Sequence, residues 1–209
     1  MNSRSLIGKS KSVKWGMLCL LASVWLSVGA SAGGKSLFTV ADVRSELTRV
    51  RAFGMDPNGA VHLQKEGVIP FWGDGGREIA VDSEEGVLFV SSLSSNRVQL
   101  VDSITLQSIG DIEIVGATNL AGLAYDHKKS RLYAIERGTD KLFVHTWNSQ
   151  WHTLTPIVGS PIRLAGTTGH GLALDEVEGI LYVANGSPVI VGYRTDIWYK
   201  VRTITLSRT

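Results

Sequence analysis

The 209 residues contain a single cysteine, Cys19. One thiol can form neither an intrachain disulfide framework nor a cysteine-built zinc site. An excess of one charge is missing too: the formal net charge is +2, which leaves no electrostatic footprint for nucleic acid. The chain has no G-x-S-x-G, H-E-x-x-H, phosphate-cradling glycine loop or C-x-x-C, so the common hydrolase, zincin, nucleotide and redox signatures are absent. Its five histidines, His62, His127, His145, His152 and His170, show no pairing at metal-ligand spacing. Apolar residues make up 44% of the chain, too many for disorder, and the 23 glycines follow no collagen period. The length suits one ordinary domain or two small ones.

Residues 1–32 read as an export signal. Arg4, Lys9, Lys11 and Lys14 form a basic start, an uncharged run extends from Trp15 to Val28, and Ala30-Ser31-Ala32 offers the small-x-small pattern of a cleavage site before Gly33. The competing reading is an uncleaved anchor, since the uncharged stretch from Trp15 to Gly34 matches one bilayer crossing. Cleavage after Ala32 implies a periplasmic or extracellular protein with no stable membrane span. Losing the four leader cations leaves 17 basic against 19 acidic residues.

Three later segments repeat. Ile79-Ala80-Val81-Asp82 precedes a turn and Gly86-Val87-Leu88-Phe89-Val90. Leu123-Ala124-Tyr125-Asp126 precedes a turn and Arg131-Leu132-Tyr133-Ala134-Ile135. Leu172-Ala173-Leu174-Asp175 precedes a turn and Gly179-Ile180-Leu181-Tyr182-Val183. The aspartates are 44 and 49 residues apart, a period typical of propeller blades. The Val, Ile, Tyr and Thr content, broken by Gly, Asn, Asp and Ser, selects strands over helical repeats. The first unit divides into strands near 78–82, 86–92, 96–102 and 106–114. Each closing aspartate is placed to accept backbone N–H groups of the turn that follows.

This cadence, with Tyr182-Val183-Ala184-Asn185 in the third unit, resembles the YVTN family of β-propeller repeats. The second unit departs from it, with Ala134-Ile135-Glu136-Arg137 in place of the tetrapeptide. The resemblance implies an all-β fold of about three four-stranded antiparallel blades in an incomplete ring, spanning 73–116, 117–166 and 167–209. Three blades are too few to close, since propellers close with about four to eight. A longer protein, self-association that completes the ring, or an N-terminal helix covering one face would each resolve this.

Residues 33–72 carry that helix as an expectation. Val40, Val43, Leu47 and Val50 recur at helical spacing behind Thr39 as N-cap. Phe53 to His62 resembles a blade's inner hairpin, which suggests a half blade.

Candidate functional residues are few. The connections entering the inner strands of a propeller lie near the mouth of its axial channel, which places Arg77, Glu78, Asn119 and His170 together around a ligand or ion. Solvated turns account for the same residues. Trp72, Trp147, Trp151 and Trp198 form either a glycan or peptide platform or packing between blades. Without a catalytic constellation, the expectation is a noncatalytic exported propeller that binds a protein, peptide or glycan, or acts as an envelope scaffold. It has no catalytic residue, no metal and no cofactor, with calcium a weak exception. The alternative is a metal-dependent propeller enzyme, lactonase-like or lyase-like, with its site at the axial mouth.

Overall fold

A computed structural model of the chain describes residues 27–31, 34–43, 47–70, 75–165 and 167–207. The basic part of the leader, Ala32, Gly33 and Trp72 lie outside the described residues. Among the described residues there is no helix, and the fold is all-β.

Four sheets, each with a four-stranded antiparallel path, follow one another along the chain. The first holds β1 (Ser27–Ser31), β2 (Gly34–Val43), β3 (Leu47–Met55) and β4 (Val61–Pro70). The second holds β5 (Gly76–Asp82), β6 (Val87–Ser92), β7 (Arg97–Asp102) and β8 (Ser108–Glu113). The third holds β9 (Leu120–Asp126), β10 (Arg131–Glu136), β11 (Lys141–Asn148) and β12 (Thr153–Pro156), with β13 (Ile162–Arg163) also paired to β11. The fourth holds β14 (Gly171–Asp175), β15 (Ile180–Ala184), β16 (Val189–Arg194) and β17 (Lys200–Thr205). They are consecutive blades of an incompletely closed propeller: β1 and β2 pack on β5, β5 on β9, and β9 on β14.

The expected helix over residues 40–50 is corrected to a hairpin, and the expected half blade to a full first sheet. Val40 is paired with Val50 and Val43 with Leu47 in the β2–β3 register, so apolar residues at paired positions of two strands mimic a helical stripe. Thr39, read as a cap, lies within β2. The Phe53–His62 hairpin exists but joins β3 to β4, the outer pair of the sheet rather than the inner one. Its turn is closed by the Gly59 N–H on the Asp56 carbonyl at 2.8 Å. β1 falls inside the expected leader, so cleavage after Ala32 would leave this first sheet three-stranded.

Alternation decides how the sheets stack. Ile79 and Val81 of β5 pack with Phe38, Val40 and Val50 of the first sheet. Ala80 between them packs the opposite way, with Leu123, Leu132 and Phe143 of the third. Ala121, Tyr133, Ile135 and Val144 carry the same pattern onward to Leu172, Leu181 and Val183. A central blade is therefore apolar on both faces, which is why its strands read as near-continuous hydrophobic runs.

The closing aspartates behave as expected. Asp82 Oδ1 accepts the Glu84 and Glu85 N–H groups, Asp126 Oδ1 that of Lys129, and Asp175 Oδ1 those of Val177 and Glu178. The repeat alignment needs one correction. Asp82 pairs with Val87, Asp126 with Arg131, and Asp175 with Ile180, so Ser130, not Arg131, matches Gly86 and Gly179. All three adopt positive φ, at 69°, 48° and 65°, the left-handed region where glycine is at home. Serine in the glycine place hid the register. In the corrected frame Tyr133-Ala134-Ile135-Glu136 stands against Tyr182-Val183-Ala184-Asn185, so the second unit keeps its tyrosine.

Candidate functional site at the axial mouth

Strands β5, β9 and β14 occupy the same position in successive blades, so their starting ends lie at one end of the molecule. Arg77 and Glu78 sit on β5, Asn119 immediately precedes β9, and His170 immediately precedes β14.

Asn119 organises the connection. Its Oδ1 accepts the Ser94 N–H at 3.2 Å, and its carbonyl accepts the Arg137 N–H at 2.8 Å. That second bond fixes the backbone of Arg137, a residue the sequence analysis did not select. Two loops use one device to enter their inner strands: Glu136 Oε1 accepts the Thr118 N–H at 2.8 Å, and Asn185 Oδ1 accepts the Thr168 N–H at 3.4 Å. Glu136 and Asn185 occupy matching places in the repeat, so the last residue of the tetrapeptide shapes the loop before the inner strand.

Arg77, Arg137 and His170 form the basic part of the mouth, two guanidinium charges beside one imidazole. The Arg77 guanidinium is partly buried, and its Nε has no hydrogen-bond partner. Burial and then the Arg137 charge push its pKa below the ordinary value. Burial, followed by the charges of Arg137 and Arg77, likewise lowers the pKa of His170, which keeps its ring neutral at pH 7. His170 Nδ1 lies 3.0 Å from the Gly169 carbonyl oxygen. A carbonyl can only accept, so Nδ1 carries the proton and Nε2 keeps its lone pair. Gly186 gives Nε2 room, since a Cβ there would come within 2.5 Å of it.

Glu78 lies behind the mouth. It is 3% exposed, and its carboxylate accepts the Leu123 N–H at 2.9 Å and that of Leu172. Burial pushes its pKa well above the ordinary carboxylate range, against the opposing pull of the two N–H groups and Arg77.

Among the described residues, Trp147, Trp151 and Trp198 do not assemble as a platform. Trp147 is buried between blades, edge-on to Phe89 with ring centroids 5.0 Å apart, whereas Trp151 is 70% exposed and Trp198 packs against Tyr133. Among the described residues, no group of three or more His, Cys, Asp or Glu side chains is arranged to hold a metal ion. No helix among them is long and apolar enough to cross a membrane.

No protein-family model matches the chain, and no curated protein does. Solved structures do resemble it. A provisionally named 6-phosphogluconolactonase from Bacteroides uniformis superposes with a TM-score of 0.64 at 12% identity, covering 87% of this chain and 56% of that one. Another so named, from Bacteroides fragilis, gives 0.64 at 16% identity, covering 88% and 57%. A protein from Lactobacillus plantarum gives 0.60 at 16% identity, covering 87% and 55%. The chain thus spans little more than half the length of these structures. At such identities the likeness shows the propeller fold alone.

Proposed function

We propose that this protein is an exported lactonase-like propeller that takes an anionic sugar lactone at its axial mouth. The observation that carries the reading is the convergence of Arg77, Arg137 and a neutral His170 from three blades, with Arg77 Nε left without a partner. Two guanidinium groups suit a phosphate or carboxylate, which they can grip through paired N–H donors. Fold analogy to the lactonase-named structures adds weight without fixing the chemistry.

Hydrolysis follows from the same groups. His170 Nε2 takes a proton from a water molecule, whose oxygen adds to the lactone carbonyl. A guanidinium N–H stabilises the resulting oxyanion. The bond from the carbonyl carbon to the ring oxygen then breaks, and the ring oxygen receives the proton from His170. Electrons and protons balance without a further reagent.

The direct test is hydrolysis of 6-phosphogluconolactone by the purified protein, with His170→Gln beside it. Expected is turnover that falls about a hundredfold in the variant, the usual contribution of a general base. Equal turnover above the uncatalysed rate in both proteins would remove His170 as the base, and phosphate binding with no turnover at all would return the protein to the noncatalytic binding class.

A further inference from the structure

Glu78 is the fourth residue before the closing aspartate of its repeat, and the same place in the next two repeats is glycine, Gly122 and Gly171. The axis of three blades is therefore filled by one carboxylate and two missing side chains. A Cβ on Gly122 would lie 2.8 Å from Glu78 Oε2, 2.8 Å from the Leu172 nitrogen and 2.9 Å from the Gly171 carbonyl carbon. Through that gap the carboxylate reaches the N–H of Leu123 on β9 and that of Leu172 on β14. Ser91 Oγ completes the joint from behind, accepting the Glu78 N–H at 3.1 Å and donating to the Ala121 carbonyl at 3.0 Å.

Each strand joined here carries or adjoins one of the basic side chains of the mouth. Arg77 precedes Glu78 on β5, His170 precedes Gly171 on β14, and Arg137 is tied to Asn119 at the entry to β9. We propose that Glu78 is a positioning residue, a staple across three blades that sets the spacing of Arg77, Arg137 and His170 for an anionic ligand. This rests on the anion-site reading above. Glu78 touches no ligand itself, because it lies buried behind the mouth with its carboxylate turned to backbone donors.

The alternatives give opposite signs. If Glu78 acted on the mouth only through its negative charge, removing that charge would strengthen anion binding. If it only stabilised the fold, the affinity of the folded protein would not change. If it positions these basic side chains, the isosteric Glu78→Gln must weaken binding, because a neutral amide accepts backbone N–H groups less strongly than a carboxylate and its NH2 group accepts none.

The experiment is titration of the full chain with inorganic phosphate, by calorimetry, for wild type, Glu78→Gln and Arg77→Gln, with folding checked by circular dichroism. Expected is phosphate binding by wild type, at least fivefold weaker in Glu78→Gln and weaker still in Arg77→Gln. Equal or tighter binding by a folded Glu78→Gln overturns the staple while leaving the anion site standing. Absence of phosphate binding by wild type overturns both. Should Glu78→Gln not fold, Ser91→Ala loosens the same joint from its outer side. At least twofold weaker binding is then expected, and unchanged affinity rejects the proposal.

Discussion

Gly122 stands where any β-carbon would press within 2.8 Å of Glu78 Oε2. Two further atoms of that contact are backbone, so the neighbours cannot yield as a flexible side chain would. Gly122→Ala is expected to cost about 2–3 kcal/mol, at the upper end of overpacking penalties. Gly59 provides the contrast, with positive φ of 81° and open space around it. Gly59→Ala there carries only the left-handed backbone cost of about 1 kcal/mol. Urea unfolding of the two variants checks the order, and a smaller loss at Gly122 would contradict the packing.

The blades were legible because their faces obey a period of two. Ile79, Ala80 and Val81 go to alternate cores, and Asp82 closes the strand by its own hydrogen bonds. What misled was chemistry that two geometries share. Val40, Val43, Leu47 and Val50 satisfy a helical spacing and also the register of a hairpin, and only pairing partners distant in sequence decide between them. Ser130 concealed the frame of the second repeat by taking a left-handed conformation usually left to glycine. In the site, Arg77, Asn119 and His170 could be placed from strand direction alone. Arg137 could not, since its place depends on its N–H reaching the Asn119 carbonyl. Nor could the contacts of Glu78, whose carboxylate reaches two backbone N–H groups past glycines of other repeats.

Phe89 links the second and third blades through its edge-on contact with Trp147 at 5.0 Å and its tilted contact with Tyr125 at 5.4 Å. It is fully buried. Phe89→Ala is expected to cost about 3–5 kcal/mol, from lost apolar burial together with the cavity left behind. Phe89→Leu should cost less than half as much. Near-equal losses in thermal or urea unfolding would mean that ring contacts, not volume, hold this interface.

His145 makes stability depend on pH. Burial alone holds its pKa below the ordinary value, and its Nδ1 has no hydrogen-bond partner. The folded state therefore binds fewer protons than the unfolded chain. Its contribution is complete above the unfolded-state value near 6.5 and is lost as pH falls toward the lowered folded value. His170 is shifted in the same direction. Replacing His145 by glutamine should make the decline of stability below pH 6 shallower. An unchanged slope between pH 7 and 5 would show that His145 does not carry the effect.

Export is tested at the N-terminus. Expression in a secreting bacterial host, followed by intact-mass measurement, should give a chain beginning at Gly33. That product lacks β1, and the exposed edge of β2 then becomes the inner border of the first sheet. A mass retaining residues 1–32 would contradict cleavage after Ala32 and favour the anchor reading.

The tautomer of His170 separates a base from a bystander. Because the Gly169 carbonyl can only accept, the proton belongs on Nδ1 and the lone pair on Nε2, at the edge of the ring that Gly186 leaves free of a β-carbon. Nitrogen-15 spectra of the imidazole should show Nδ1 protonated at pH 7. The ring should stay neutral to lower pH than an exposed histidine, because burial and the charges of Arg137 and Arg77 oppose protonation. Adding inorganic phosphate reverses part of that opposition by neutralising the two arginines, so the His170 titration midpoint should rise in its presence. In Arg137→Gln the midpoint should rise before any phosphate is added, and phosphate should then move it less. A midpoint that ignores both phosphate and Arg137 would place His170 outside the field of the two guanidinium groups, and the mouth would then lack the base that lactone hydrolysis requires.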